Sequence, residues 1–550
     1  MDVRIGSRVR IRVSGRRLKG FVTAVFEPDR DRKLLPIEGL SGNVPSFNPS
    51  SLATLRWAAT HYVAPLSALL KRTVPPNVPT ANTQPPSVAT ETASPSPMTY
   101  HIGSPPYGPA IAASIEANVK GRRNVVIVAP TVIEIEEIAQ HLITLHGDAV
   151  VLATSSMPGA AVTDSWVRIA NGSQTILIGT REIMFWPFGD VGLVVVVEDG
   201  RRVMRSPATP TVNVREVMAH RSREEGFRLV FHGPVPTLET IAAGVAIDAP
   251  AHRQWPMVEL VDRGEEPPTG AALTQRCKSA IAAAVRGGGS VFILVGSRGY
   301  APAFRCVTCG EVRRCSECSS AASRDDTCRR CGSSLGACIG CGGNRFQALG
   351  AGIGRIVDDV AGVIGKEQVG RAGEEMLVTV GTERDLIGVR DVMLAVAIDS
   401  DGLTMAPHYR AQEDGLRLLV RLAQTVKRGA GNRCLIQTAQ VDQPVLNALV
   451  HGRSNDFLAV ELESRRRFGF PPVGSLIALE VEGEVGTAAL LEEHVARHAT
   501  IMGPAAVGSR QRWLIQGRDL DAARLAMRTV VNSIRSKGAK VRVDVDPIDL

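Results

Sequence analysis

Residues 306–341 read CVTCGEVRRCSECSSAASRDDTCRRCGSSLGACIGC, and eight of the chain's ten cysteines fall inside this stretch. They form four Cys-x-x-Cys pairs: Cys306/Cys309, Cys315/Cys318, Cys328/Cys331 and Cys338/Cys341. A Cys-x-x-Cys turn points two thiolates at one tetrahedral ion, so four pairs suffice for two closed structural zinc sites. Disulfides would need an oxidising compartment, whereas residues 1–20 carry charge throughout and contain no apolar signal segment. Spacing leaves three ways of pairing the pairs. One of them is nested: the polar segment 319–327 lets the middle two pairs clasp one ion while the outer two hold the other. Arg305, Arg313, Arg314, Arg329 and Arg330 stand beside the ligands, either balancing the thiolate charge or contacting nucleic acid.

On both sides of this block the chain alternates strand and helix patterns. The expected strands are 125–128, 149–153, 175–178, 193–197 and 228–231, with helical segments such as 133–145 between them. Continuous Val and Ile runs separated by helices predict parallel sheets covered on both faces. A second such unit begins near 290–294 and resumes after the cysteines at 377–380 and 392–398, so the zinc block is an insertion in it.

Farther out, residues 1–47 alternate apolar positions (Val9, Ile11, Val13) with Arg8, Arg10 and Arg12, then turn at Ser14-Gly15. This predicts a small β domain whose basic face, with Arg16, Arg17 and Lys19, suits phosphates. The domain looks short of its first elements. Residues 48–74 suggest two short helices of a winged-helix-like module, the first capped by Ser50 or Ser51. Residues 75–98 are rich in Pro, Thr, Ser and Asn and read as a linker. After residue 474 come strand patterns at 476–481, 512–516 and 541–545 and helices at 488–498 and 520–536, an α+β ending. Cys277 and Cys434 read as ordinary half-buried thiols, and Trp57, Trp166, Trp186, Trp255 and Trp513 as core.

With 550 residues, 44% of them hydrophobic and 21% charged, the chain is globular and built of several domains. No run of eighteen apolar residues occurs, which predicts a soluble, cytoplasmic protein without a membrane partner. The formal charge of +8 suits a polyanion partner. Eight bound thiolates and two zinc ions would bring it to about +4.

A phosphate loop has the form G-x-x-x-x-G-K-[ST], whose lysine reaches the β and γ phosphates and whose hydroxyl binds magnesium. Gly103 and Gly108 have that spacing, but Pro109 and Ala110 follow, without charge or hydroxyl. The acidic partner motif is also altered: Glu198 and Asp199 follow the 193–197 strand, but Arg201-Arg202 stand where magnesium would be held. ATP and magnesium binding are therefore doubtful, and no catalytic residue is assigned.

Taken together the motifs resemble the replication-restart DNA helicases of the primosomal protein N′ (PriA) family. The resemblance rests on the cysteine block followed by Leu349-Gly350-Ala351-Gly352-Ile353-Gly354-Arg355-Ile356, on Ile178-Gly179-Thr180-Arg181 with Pro187-Phe188, on Ile398-Asp399-Ser400-Asp401-Gly402, on Arg465-Arg466-Arg467-Phe468-Gly469-Phe470-Pro471-Pro472, and on the ending 541–547. The resemblance implies two RecA-like helicase lobes (99–250, and 251–305 with 342–455) and a two-zinc insertion (306–341). It also implies a 3′ DNA-end-binding β domain (1–47), a winged helix (48–74) and a C-terminal α+β domain (456–550). It implies the nested zinc pairing, with Cys306, Cys309, Cys338 and Cys341 at one ion and Cys315, Cys318, Cys328 and Cys331 at the other. It places DNA contacts at Thr180, Arg181 and Gly15 as well as on the basic strand, and a degenerate nucleotide site at Gly103, Gly108, Glu198, Asp199 and Arg428. Arg428 is the last residue of the segment 424–428, which replaces a Gly-Arg-Ala-Gly-Arg motif. A Ser-Ala-Thr motif is replaced by Gly233-Pro234-Val235-Pro236, and no aromatic residue lies between Gly200 and Phe227. The expected protein is a monomeric, nucleoid-associated scaffold that binds forked and single-stranded DNA. It would recruit primosome and helicase-loading proteins and single-stranded DNA-binding protein, without unwinding. The alternatives are an active ATP-dependent 3′ to 5′ helicase and, more remotely, a zinc-ribbon protein acting on RNA. Part of the 3′-end pocket would lie upstream of Met1, through truncation or a misplaced start.

Overall fold

The computed structural model describes residues 3–27, 35–80, 97–172, 174–250, 252–265, 272–296, 303–309, 311, 313–316, 327–328, 333–349, 353–406 and 408–548. The chain divides into two compact units. One comprises residues 1–249 with 519–532 and 543–545, the other 250–518 with 533–542 and 546–550.

The first unit opens with a hairpin of β1 (Arg8–Val13) and β2 (Arg16–Phe21), with β3 (Gly39–Leu40) antiparallel to β1. Helix α1 (Pro49–His61) follows, then α2 (Leu66–Leu70). Ser50 and Ser51 were the expected caps of α1, but the cap is Asn48. Its side chain accepts from the Ser51 backbone N–H, and the Ser51 hydroxyl answers at the Asn48 N–H. The reason is Pro49. It holds its predecessor extended and lacks the N–H that the first helical position leaves unsatisfied, so the chain enters the helix two to three residues earlier than expected. Most of the linker falls at residues 81–96, outside the described residues.

A seven-stranded parallel sheet then forms. Its strands are β4 (Thr99–Ile102), β5 (Asn124–Val128), β6 (Val150–Ala153), β7 (Ile176–Gly179), β8 (Val191–Val197), β9 (Arg228–Gly233) and β10 (Ala246–Asp248), in the order β10-β4-β9-β8-β5-β7-β6. Helices α3 (Gly108–Lys120), α4 (Val132–His146), α5 (Gly159–Ala170), α6 (Val214–Glu225) and α7 (Leu238–Ala242) connect them. Strands β5 and β8 are buried along their whole length, which is why they read as unbroken Val and Ile rather than alternating. Ile111 and Ile115 of α3 and Ile135, Ile138 and Leu142 of α4 share one core with Val125, Ile127, Leu193, Val195 and Val197. The three-to-four residue spacing on the helices meets the two-residue spacing on the strands.

The second unit repeats this plan with a six-stranded parallel sheet. Its strands are β11 (Met257–Asp262), β12 (Val291–Leu294), β15 (Val369–Arg371), β16 (Val378–Gly381), β17 (Leu394–Ala397) and β18 (Arg433–Thr438), in the order β11-β18-β17-β12-β16-β15. Between β12 and α9 (Ile353–Ile364), the antiparallel ribbon β13 (Ala303–Cys306) and β14 (Phe346–Leu349) carries the cysteine block. Other helices are α8 (Gln275–Arg286), α10 (Ser400–Thr404), α11 (Ala411–Gln424), α12 (Pro444–His451) and α13 (Ser454–Phe468). Antiparallel strands β19 (Ser475–Glu482), β20 (Thr500–Val507) and β21 (Arg510–Gly517), with α14 (Thr487–His494), belong to the C-terminal segment. The chain closes on α15 (Asp521–Ser536) and β22 (Lys540–Val545).

The expected fold class therefore holds as two parallel α/β sheets with a ribbon inserted in the second. Three details differ. Strand β20 was not expected, because Gly503-Pro504 interrupts its pattern and its register shifts between Met502 and Ala505. Helix α14 stops at His494 rather than 498. Cys277 and Cys434 are fully buried, and four of the tryptophans are core, whereas Trp57 is half-buried and stacks on His220 at 4.1 Å.

Candidate metal centre and remodelled nucleotide site

In the ribbon, the thiols of Cys306, Cys309, Cys338 and Cys341 converge, with every Sγ within 4.8 Å of the others. Sγ of Cys306 is 3.5 Å from that of Cys341, and Sγ of Cys309 is 3.6 Å from that of Cys338. Four sulfurs about 2.3 Å from a tetrahedral zinc lie about 3.8 Å apart, so the donor set and its spacing fit zinc. Two matching turns build the site. The Cys306 N–H donates to the Glu311 carbonyl at 2.8 Å, and the Cys338 N–H to the Gly343 carbonyl at 2.9 Å. Gly343 leaves room there: a Cβ would come within 3.0 Å of Oγ1 of Thr308, 3.1 Å of Sγ of Cys306 and 3.3 Å of Sγ of Cys341, crowding the ligands. Backbone N–H groups of Cys309 and Thr308 favour the Cys306 thiolate, pushing its pKa down to about 6. Against the Gly343 N–H and the Cys309 thiol, which lower it, the thiols of Cys306 and Cys338 together with burial push Cys341 up.

The outer two pairs are thus brought together, as the nested arrangement expects of them. Of the inner two, Cys315 and Cys328 are buried and share a small cluster with Leu335, while Cys318 and Cys331 lie outside the described residues. Cys328 N–H donates to the Ser333 carbonyl at 2.7 Å, the same five-residue closure as in the other two turns. The available signal was a glycine after the second cysteine in three of the four pairs: Gly310, Gly332 and Gly342. Arg313 departs from its expected role at the surface. It is 7% exposed, lies 4.3 Å from the Phe346 ring centroid and donates to the carbonyls of Leu335 and Gly336. Arg314 is exposed, Arg329 and Arg330 lie outside the described residues, and the side chain of Arg305 is likewise outside them.

The Gly103–Gly108 segment, expected as a degenerate nucleotide motif, sits where β4 passes into α3. The Gly103 N–H is held by the Gly233 carbonyl, α3 starts at Gly108, and Pro109 occupies its first turn, where its missing N–H costs nothing. The residue before Gly108 is Tyr107, which turns inward: it is 3% exposed and donates its hydroxyl to Oε1 of Glu198 at 3.0 Å. Glu198, at the end of β8, has φ of 47° and is 2% exposed. Arg201 Nη1 bonds the Glu134 carboxylate and lies 3.6 Å from Oε2 of Glu198, with both side chains at most 6% exposed. Thr131 completes the arrangement by donating to Oε2 of Glu134 at 2.8 Å. Asp199 points elsewhere. Its Oδ2 accepts from the hydroxyls of Thr237 and Thr240 at 3.1 and 3.0 Å, with Nε of Arg215 at 3.8 Å.

A magnesium-bound triphosphate needs carboxylate oxygens facing an open site and a cation over the phosphates. Here both acids are desolvated and engaged by the chain itself, and the loop supplies no lysine or hydroxyl at 109 or 110, so the residues present do not fit that group. Sequence reading identified Glu198, Asp199 and Arg201 but missed Tyr107 and Glu134. A lone tyrosine among unspecified loop positions carries no signal. His232, in β9, is 3% exposed, contacts Ser114 Oγ at 3.0 Å and stacks on His101 at 5.0 Å; burial first, then His101, lowers its pKa to about 4. Arg428 is exposed and donates to the Arg253 carbonyl at 3.2 Å.

On the hairpin, Arg10 pairs with Lys19 and Arg12 with Arg17 across the strands, so Arg8, Arg10, Arg12, Arg17 and Lys19 share one face. Arg16, opposite Val13, belongs to the other face. Glu38 lies against the basic face, 2.9 Å from Arg12 and 3.4 Å from Arg17, and the Arg12 hydrogen bond holds its carboxyl below the usual range. Arg8 donates to the Ser41 carbonyl at 3.3 Å and is half-buried. Ser14 and Gly15, with φ of 48° and 79°, form the hairpin tip, and a Cβ on Gly15 would meet nothing within 4 Å. The glycine is explained by its turn conformation. Thr180 precedes a 3₁₀ turn, and Arg181 donates to the Val203 carbonyl at 2.8 Å and pairs with Glu182 at 3.1 Å.

No helix among the described residues is long and apolar enough to cross a membrane. Residues 1–75 match the family model of the PriA 3′ DNA-binding domain (3'BD), and residues 466–548 match that of the primosomal protein N C-terminal domain. A probable replication restart protein PriA of Mycobacterium bovis is 27% identical over 435 residues, covering 72% of this chain and 66% of that protein. The replication restart protein PriA of Treponema pallidum is 23% identical over 494 residues, covering 79% and 74%. The chain thus spans just under two thirds of the length of the mycobacterial relative. Among solved structures, RecG bound to a three-way DNA junction aligns with 68% of this chain and 47% of its own, at 13% identity and a TM-score of 0.37.

Proposed function

Because the chain belongs to the PriA family of replication restart proteins and carries that family's 3′ DNA-binding domain, we propose that it is a restart scaffold that binds forked DNA without ATP-driven unwinding. The observation that carries this reading is the internal occupation of the nucleotide position by Tyr107, Arg201 and Glu134 around Glu198. Phosphoryl transfer depends on positioned cations, and loss of one such group commonly costs several kcal/mol of barrier. This chain has exchanged the lysine, the hydroxyl and the open acidic pair.

In this reading Arg8, Arg10 and Arg17 on the basic face of the hairpin meet the DNA backbone, Gly15 and, on the other face, Arg16 meet it beside the tip, and Thr180-Arg181 contacts a strand along the first lobe. The nucleotide remnants Gly103, Gly108, Asp199 and Arg428 are structural. Cys306, Cys309, Cys338 and Cys341 hold one zinc ion, and Cys315, Cys318, Cys328 and Cys331 a second. The scaffold acts as a monomer in the cytoplasm at the nucleoid, offering fork-bound surfaces to primosome, helicase-loading and single-stranded DNA-binding proteins. In the same reading the two lobes span 99–250 and 251–305 with 342–455, around a zinc insertion at 306–341, after a β domain at 1–47, a winged helix at 48–74 and a linker at 75–98, and before a C-terminal domain at 456–550. An ATPase assay with forked DNA tests it: turnover that rises on adding forks and disappears in a Glu198→Ala variant would replace the scaffold by an active helicase.

A further inference from the structure

Most aromatic rings among the described residues are buried; two phenylalanines are exposed, Phe26 at 80% and Phe468, at the end of α13, at 60%. Arg467 lies over the ring, 5.7 Å from its centroid, and Arg466 is 56% exposed beside Glu463, with which it pairs. The backbone under the ring is fixed from both sides. Gln516 Nε2 donates to the carbonyls of Phe468 at 3.2 Å and of Gly469 at 3.0 Å. Beneath, Arg465 is 2% exposed and donates to the Pro471 carbonyl at 2.9 Å, while pairing with Glu461 at 2.8 Å and Glu413 at 3.4 Å. Phe470 stacks on Tyr409 at 5.1 Å with an interplanar angle of 4°. One phenyl ring is therefore left in solvent on a braced turn, with guanidinium groups on the adjoining helix turn.

A flat apolar ring with neighbouring cations complements a partner that is flat, apolar and anionic at once. We propose that Phe468, with Arg466 and Arg467, is a stacking platform for one base of a single-stranded DNA segment, the arginines meeting the flanking phosphates. Stacking needs an unpaired base, so the platform selects single strands over duplex. The proposal rests on the DNA-binding reading above but on a surface separate in sequence from the hairpin.

The test is fluorescence anisotropy of the full chain with a labelled oligothymidine, the same strand with abasic spacers, and a blunt duplex, at one stated salt concentration. Phe468→Ala is expected to weaken binding to the oligothymidine about tenfold, with duplex binding unchanged, while Phe468→Trp keeps the affinity. The abasic strand should bind the parent chain as weakly as the intact strand binds Phe468→Ala. Equal affinity of Phe468→Ala and parent for the oligothymidine, or an equal loss on duplex, overturns the platform and leaves the fork reading standing. A parent chain without affinity for any of the three DNAs overturns both.

Discussion

Tyr107 donates its hydroxyl to Oε1 of Glu198 at 3.0 Å, placing an aromatic side chain from the loop between Gly103 and Gly108 against the acid that follows β8. With Arg201 on the other side, 3.6 Å from its Oε2, Glu198 is held inside the chain. The consequence is a buried acidic corner that contributes to the stability of the first unit.

Arg201→Ala should therefore destabilise the first unit, because it leaves Glu134 and Glu198 buried without their cation. Loss of one partner from a buried ion pair costs about 3–5 kcal/mol. Tyr107→Phe removes only a hydroxyl and should cost about 1–2 kcal/mol. Urea unfolding followed by fluorescence measures both. An Arg201→Ala variant within about 0.5 kcal/mol of the parent would show that the network is dispensable.

Metal analysis should return two zinc ions per chain, and Cys338→Ser should remove one of them without releasing the other. The thiols of Cys306, Cys309, Cys338 and Cys341 converge as a closed set, so removing one ligand opens only that site. A parent chain with one ion, or none, would contradict the two-site assignment.

Acid should weaken the first unit before its carboxylates titrate. Burial lowers His61, His220 and His232 to about 4, so the folded chain keeps them neutral where the unfolded chain, at about 6.5, already binds protons. The stability they contribute is complete above about pH 6.5 and is lost as pH falls toward 4. Arg524 lowers His61 further while Glu216 and Asp521 oppose it, Arg223 adds to the lowering of His220, and His101 to that of His232. His220→Phe preserves a ring against Trp57 and should flatten the pH 4 to 6.5 part of the unfolding profile; an unchanged slope would remove His220 from this account.

On forked DNA, Arg10→Ala and Arg17→Ala should each lower the slope of log affinity against log salt by about one. Glu38→Gln should act in the opposite direction, tightening binding, because it frees Arg12 and Arg17 from a carboxylate. If all three variants follow the parent's salt line, the basic face does not meet phosphates.

Both sheets were legible because fully buried parallel strands have no choice but continuous Val and Ile, as in β5 and β8. The cysteine ribbon was legible because metal chemistry fixes ligand spacing. Legibility failed where a residue's role depends on what lies across space. Arg313 looks like a surface cation in sequence, and only its stacking on Phe346 shows that it is core. Tyr107 and Glu134 are separated from Glu198 by 91 and 64 positions, and nothing local marks them as its neighbours. Strand β20 was hidden by its own Gly503-Pro504 interruption and by its exposure, which removes the apolar alternation that marks a strand.

Fork-DNA affinity with and without magnesium and ATP, at one stated salt concentration, tests the central claim most directly. The expected result is a single affinity under both conditions with no release of phosphate. An affinity that changes with ATP, accompanied by fork-stimulated hydrolysis, would contradict it.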